Sequence, residues 1–463
     1  MTGTAVTRGR GFPFLAYLFG ALGELMFGFD TGVIGVAMLF ISKDLTLSAT
    51  QQGIVVSSLL AGAAVGVGVS GALADRYGRR PLMIVMAAVF TLGGLAGAVA
   101  PTYGLLVAAR AVMGLGVGAS AVVVMVYLSE VAPAAHRGRI ASLGQLMVVT
   151  GTLLAYVVDY LLSPAGAWRW MIGISVVPSV ILLVGLLFLP ESPRWLAQHG
   201  RREQALRVLA RLGRGATATA ELAEIVSEAR AVTESWGRRV ARMLAPRFRR
   251  TLFACLGLAA LVQFLGVNTI IYYAPTTLTT VGFGESGAIA ANLGVGALNV
   301  VVTIVALGLM DRFGRRRLLL VGSLGMTAAM GFLALVGAVA GIGTGASAWL
   351  TLLGMLVFLA SFAMSWGMCV RVVISELLPT DIRGSAMGLV LVFNWAANFV
   401  VSLLFPIMLA HLGGAATFGI FTGVGVLSVL FVLTLVPETR GRTLEQIQRD
   451  LRQVPEGSPA DAR

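Results

Sequence analysis

Residues 53–80 read GIVVSSLLAGAAVGVGVSGALADRYGRR, and residues 287–316 read GAIAANLGVGALNVVVTIVALGLMDRFGRR. The first stretch holds 22 uncharged residues (53–74) and the second 24 (287–310). Wound as a helix at 1.5 Å per residue, either run crosses about 30 Å of hydrocarbon. Both close on the same pattern, Asp75-Arg76-Tyr77-Gly78-Arg79-Arg80 and Asp311-Arg312-Phe313-Gly314-Arg315-Arg316. The glycine suits a tight turn. The arginines suit a segment held in water beside an apolar span.

Two further coincidences follow the same register. Glu130, Pro133, Arg137 and Gly138 come after the fourth apolar run; Glu376, Pro379, Arg383 and Gly384 come after the tenth. Pro190-Glu191-Ser192 ends the sixth run, and Pro437-Glu438-Thr439 ends the twelfth. Three matches at equivalent positions indicate a duplicated unit of six spans. Two such units in parallel place a site between them near the bilayer midplane.

Composition agrees. Of 463 residues, 57% are hydrophobic and only 12% charged, against about 25% charged in soluble domains. The expectation is an all-α membrane protein of twelve transmembrane helices near 12–40, 52–73, 81–100, 105–128, 140–162, 169–189, 251–280, 288–309, 318–340, 347–377, 384–410 and 415–436. Its parts are an N-terminal six-helix half (1–190), a helical linker (191–250), a C-terminal half (251–436) and a tail (437–463). A soluble enzyme, a secreted disulfide scaffold and a strand-built barrel are excluded.

Net charge is +13, carried by 34 Lys and Arg of which only Lys43 is lysine. They cluster in short segments between spans, so no nucleic-acid partner is expected. Thirty of them lie at the N-terminus, in alternate connections and in the tail. That places both termini in the cytoplasm and requires an even number of spans. Cys255 and Cys369 fall inside apolar runs, and no cleavable signal is expected at the start. The linker is amphipathic, as in Arg201 to Arg207 and Glu221 to Ile225, and reads as short cytoplasmic helices. Glu130, Glu191, Glu376 and Glu438 are expected to face Arg76, Arg137, Arg312 and Arg383 in a cytoplasmic ion-pair latch. Surface pairs are worth about 0–1 kcal/mol each, so together they bias a conformation and still break.

The chain resembles the sugar porter family of the major facilitator superfamily. The resemblance rests on Gly28-Phe29-Asp30, on Arg110 with Gly114, Gly116 and Gly118, and on Pro190-Glu191-Ser192-Pro193-Arg194-Trp195-Leu196. It extends through Gln263, Gly266, Asn268, Tyr272 and Tyr273 to Pro437-Glu438-Thr439-Arg440-Gly441. It implies a secondary active transporter, proton-coupled symport of a monosaccharide or polyol, and alternating access in the cell membrane. It also implies Asp30 as proton acceptor with Arg110 as partner. Sugar contacts would be Gln145, Gln263, Asn268, Asn299, Asn394 and Trp395, with Tyr272 and Tyr273 as extracellular gate. A structural salt bridge is the other reading of Asp30 and Arg110, and interhelical hydrogen bonding the other reading of each amide.

Three positions depart from the family. Val262 replaces the first of two glutamines, and Thr152 stands where some relatives have another. On span ten, Ser365-Trp366-Gly367-Met368-Cys369-Val370-Arg371 lacks the usual proline and carries Arg371 where a sugar-stacking Trp is usual. Arg371 either reads an anionic substrate or pairs with Glu24, Asp159 or another carboxylate and leaves a neutral one. Glu24 is either a second relay carboxylate or a group facing the cytoplasmic cavity; Asp159 is expected to be a solvated cap.

The competing functions are a carrier or exporter of an anionic or drug-like metabolite and, from another class, a membrane sensor that transports nothing. An enzyme is not expected. His136, His199 and His411 show no metal or triad spacing, and no GxxxxGK[ST] loop occurs. No metal or cofactor is expected, and the protein is expected to be monomeric, its partners being lipid, a proton and a small solute.

Overall fold

The computed structural model describes residues 11–131, 137–214, 217–231, 244–339, 345–378 and 383–440. Among these, every regular element is a helix. Spans one to five are Gly11–Asp44, Ala49–Tyr77, Arg79–Ala98, Tyr103–Val131 and Arg137–Leu162. Span six is Trp168–Ile174 continued by Val176–Phe188, and span seven is Pro246–Phe264 continued by Val267–Thr280. Glu285–Phe313 and Arg315–Val339 are spans eight and nine; Gly345–Met364 and Trp366–Leu377 make span ten. The last helix, Arg383–Leu435, runs 53 residues, about twice a crossing, and changes direction at Gly413, where φ is 76°. It therefore supplies spans eleven and twelve.

The outer surface of the bundle is apolar. Phe188 is 72% exposed, Val339 75% and Leu92 66%. A water-soluble protein would bury such side chains, so this belt faces lipid. Helix approach inside the bundle depends on small residues. Gly62 lies against the Ala111 carbonyl, and Gly114 and Gly118 against the Leu59 and Ala63 carbonyls, leaving no room for a Cβ between spans two and four.

Three spans are broken. Gly266 adopts φ 91°, open to glycine but strained for other residues, and splits span seven. Span ten breaks at Ser365 without proline, because φ −132° and ψ −84° leave the helical region there. Trp366, just beyond, is fully buried and donates through Nε1 to Ser323 Oγ at 2.9 Å. Span six is interrupted at Ser175.

The duplicated turns have duplicated chemistry. Gly78 (φ 104°) and Gly314 (φ 79°) make the turns after spans two and eight. Glu191 Oε1 accepts from the Arg79 and Arg80 amides at 3.0 and 3.3 Å; Glu438 Oε1 accepts from the Arg315 amide at 3.0 Å. Arg79 reaches Glu130 at 3.1 Å, and Arg315 reaches Glu376 at 3.7 Å. The expected carboxylates are thus in place, but the cations that meet Glu130 and Glu376 are Arg79 and Arg315, not Arg76 and Arg312. The turn glycine reverses the chain, so the arginine after it faces span four or ten. Arg76 instead lies over the Tyr77 ring, 5.2 Å from its centroid. The Arg312 carbonyl accepts from Arg440. Arg137 and Arg383, the other expected cations, have side chains outside the described residues.

Glu191 is partly buried. Burial pushes its carboxyl above the usual carboxylate range, and the Ser192, Arg80 and Arg79 amides with the Arg79 charge offset part of that rise.

Within the linker, Pro193–Gln198, Arg202–Leu209 and Ala218–Ala231 are helical. Trp195, Leu196, Leu209 and Leu222 bury against the ends of the first-half spans. Trp195 Nε1 also donates to the Asp75 carbonyl at 2.9 Å.

Candidate functional site

The site lies where spans one, five, seven, eight, ten and eleven converge. Asp30 on span one and Arg110 on span four are 1% and 2% exposed. Their two N···O distances are both 3.4 Å, a fork-to-fork approach longer than the 2.7–2.9 Å of a tight charge-assisted bond. Arg110 is also held through Nε by the Val55 carbonyl at 3.1 Å. The sequence-predicted pair is therefore brought together, and loosely.

Three predicted amides form one chain. Asn268 Nδ2 donates to Gln263 Oε1 at 2.7 Å, and Gln263 Nε2 donates to Asn394 Oδ1 at 2.9 Å. The break at Gly266 allows this, since it brings residues on either side of it onto a common face. Asn394 Nδ2 reaches the Ala259 carbonyl at 3.4 Å, close to the limit of a hydrogen bond. Trp395 is 6% exposed and meets Phe27 edge-on at 5.3 Å, across the two six-span sets. Gln145 is half-buried on span five and Asn299 buried on span eight; neither hydrogen-bonds to the amide chain.

Arg371 is exposed, while Glu24 on span one is 4% exposed. Among the described residues, Arg371 is the charge near enough to act on Glu24, and the two belong to opposite six-span sets without forming an ion pair. Of the carboxylates considered for Arg371, Glu24 is thus its electrostatic neighbour and Asp159 is not. Asp159 is also no solvated cap: it is 0% exposed. Thr152, at the position of a lost glutamine, donates to the Gly28 carbonyl at 3.0 Å and ties span five to span one beside Asp30.

The predicted gate tyrosines are both buried. Tyr273 donates to the Ser402 carbonyl at 2.8 Å and packs on Phe405 at 5.2 Å. Tyr272 lies beside Thr31 and Asn398, one from each set. Tyr156 reaches the Ile271 carbonyl at 3.4 Å, and Lys43 pairs with Glu285. The Tyr272–Thr31, Tyr156–Ile271 and Lys43–Glu285 contacts join the two sets from the site toward the end away from the arginine-rich turns, whereas those of Tyr273 stay within the second set. The ion pairs at the arginine-rich end, Arg79–Glu130 and Arg315–Glu376, each stay within one set. The site is therefore shut off by protein on the Lys43 side.

Sequence reasoning missed Phe27, Thr31, Tyr156 and Asn398. Two had a signal: Asn398 lies four residues after Asn394, and Phe27 three before Asp30, hence on the same helix faces. Among the described residues no cluster of His, Cys, Asp and Glu could hold a metal ion.

A family model described as sugar (and other) transporter matches residues 16–451. The glucose transporter GlcP of Staphylococcus epidermidis is 42% identical over 441 residues, 95% of this chain and 97% of that one. An inward-open structure of the xylose transporter XylE from Escherichia coli superposes with TM-score 0.81 at 30% identity, covering 94% of this chain and 99% of that one. A structure of the proton:xylose symporter XylE bound to 6-bromo-6-deoxy-D-glucose gives 0.78 at 30% identity, covering 95% and 99%.

Proposed function

The chain belongs to the sugar porter family of the major facilitator superfamily and is a membrane transporter rather than an enzyme, and on that premise we propose that it is a secondary active carrier taking up a monosaccharide or polyol together with a proton. Glucose and xylose are the solutes named for the relatives described above. Its two six-span halves rock about the amide site in the cell membrane, with both termini cytoplasmic and the Lys43–Glu285 side outward.

The observation that carries the reading is the buried, loosened Asp30–Arg110 fork beside a chain of amides and an indole. Amides offer donors and acceptors to hydroxyl pairs, and the Trp395 face suits the C–H side of a sugar ring. Arg110 already holds the Val55 carbonyl, so a proton on Asp30 releases span one from Arg110 without stranding the guanidinium. That couples proton occupancy to movement of a helix that also carries Thr31 and Phe27, which touch the gate and the indole.

The test is Asp30→Asn in proteoliposomes loaded with D-xylose or D-glucose. Concentrative uptake under an imposed pH gradient should vanish while solute exchange persists. Uptake against a gradient in that variant would overturn the proton role of Asp30.

A second reading, an anionic solute such as a sugar acid, is favoured by the exposed Arg371. A thermal-shift screen of the purified protein against neutral sugars, polyols and sugar acids separates the two.

A further inference from the structure

Asp159 on span five has both carboxylate oxygens buried without a hydrogen-bond partner. Among the described residues it forms no ion pair. Across the boundary between the two halves, Asn292 on span eight is also 0% exposed, and its amide oxygen and nitrogen are likewise unpartnered. Tyr156 is their common neighbour. It lies one turn before Asp159 on the same helix face, feels the Asp159 charge, and has Asn292 beside its hydroxyl, although Asn292 completes no hydrogen bond there. Gly296, one turn beyond Asn292, leaves the space that the Tyr156 ring occupies: a Cβ there would sit 2.6 Å from it.

An isolated ionised carboxylate in such a place is prohibitively costly, and buried charges are paired, bound to a cation or neutralised. Among the described residues, nothing on the surrounding elements pairs it. Span five carries Tyr156, span seven Tyr272 and Tyr273, and span one Asp30, whose partner is Arg110. Nearer the rim, Lys43 is paired with Glu285 and Arg169 with Asp44. Spans five and eight are in contact with each other, and the Tyr156–Gly296 contact between them lies toward the shut, Lys43-side end.

We propose that Asp159 is a proton-binding site of the closed outer gate. As spans five and eight come together, one carboxylate oxygen takes a proton from water on the Lys43 side. When they part, the proton returns to that side. The site therefore adds nothing to the protons carried per cycle. It makes closure of the outer gate dependent on external pH, with acid favouring the closed form. The timing rests on the alternating-access reading above; the existence of the site does not.

The experiment needs no transported solute. In the full chain with Cys255 and Cys369 replaced by serine, Ile289→Cys places a thiol one turn from Asn292, at a position 2% exposed in the closed gate. An impermeant maleimide is applied from outside to intact cells at a series of external pH values. The labelling rate is divided by that of the same protein carrying Asp159→Asn, which cancels the intrinsic pH dependence of the thiol. The ratio should rise with pH, by at most about tenfold per unit, the limit for one proton. A flat ratio overturns the proposal. So does a ratio that follows added sodium at fixed pH, which would make the bound cation a metal ion. If D159N does not reach the membrane, infrared spectroscopy of the parent and D159E decides instead. A neutral-carboxyl band that moves between them supports the proton site, and no such change removes it. Loss of all sugar flux with a rising ratio would defeat the transport reading alone.

Discussion

Asp30 and Arg110 face each other at 3.4 Å inside the bundle, where an unpaired charge costs about 2.5–3.5 kcal/mol on insertion scales. A carrier needs its ions paired well enough to be buried and poorly enough to part. The amide chain obeys a similar logic, because Gln263 is both acceptor from Asn268 and donor to Asn394. Gln263→Ala leaves two half-buried amides each short of a partner and removes a proposed sugar contact. It should weaken sugar binding by about 1–3 kcal/mol, tenfold per 1.4 kcal/mol, measured by titration calorimetry with D-xylose and D-glucose. Arg371→Trp should move preference further toward neutral hexoses, read by the same titration; an unchanged preference would mean that Arg371 does not line the site. Both residues stand out in the sequence, one by its family position and one by its departure from it. That Glu24 rather than Asp159 neighbours Arg371 does not, since it depends on where spans one, five and ten meet.

The turns after spans two and eight show how one glycine sets an element's end. At Gly78 an added Cβ would meet the Glu191 carboxylate, and φ 104° is strained for any other residue. Gly78→Ala should therefore cost about 1–2 kcal/mol or more and lower the Tm of the purified protein. Gly314→Ala should do the same against Glu438. The pH response of this corner has a definite sign. The Glu191 carboxyl titrates higher in the fold than in the unfolded chain, so the stability it contributes is present below the unfolded value and lost as pH rises through the folded one. Relative to Glu191→Gln, the parent should gain thermal stability as pH falls from neutral through the carboxylate range; the opposite slope would contradict the assignment. The duplicated motif was legible as a motif. Which arginine answers which glutamate was not, because a tight turn redirects the side chains that follow it.

Over the whole molecule, the described ion pair that links the halves lies at the Lys43 end. The Lys43–Glu285 pair crosses from span one to the start of span eight, and both side chains are largely exposed, 64% and 43%. Such a pair contributes little to stability, about 0–1 kcal/mol, so it marks a contact rather than holding the halves together. Lys43→Cys with Glu285→Cys, in a background lacking the native cysteines, should leave Tm nearly unchanged when reduced. Oxidation should stop transport and a reductant should restore it. Transport that survives complete cross-linking would show that this end does not open during the cycle.

Chain length, apolar run lengths, the alternation of arginine-rich connections and the duplicated Asp-Arg-aromatic-Gly-Arg-Arg motif were enough to derive a duplicated twelve-span bundle, while its polar site residues were nominated through the resemblance to the sugar porter family. These are one-dimensional properties, and a bilayer of fixed thickness with water on both sides acts on them directly. The break of span ten without proline, the pairing of Arg79 and Arg315, the joining of Gln263, Asn268 and Asn394, and the dryness of Asp159 emerged only once the helices were packed. Burial and pairing are made by neighbours far apart along the chain, so no local pattern encodes them.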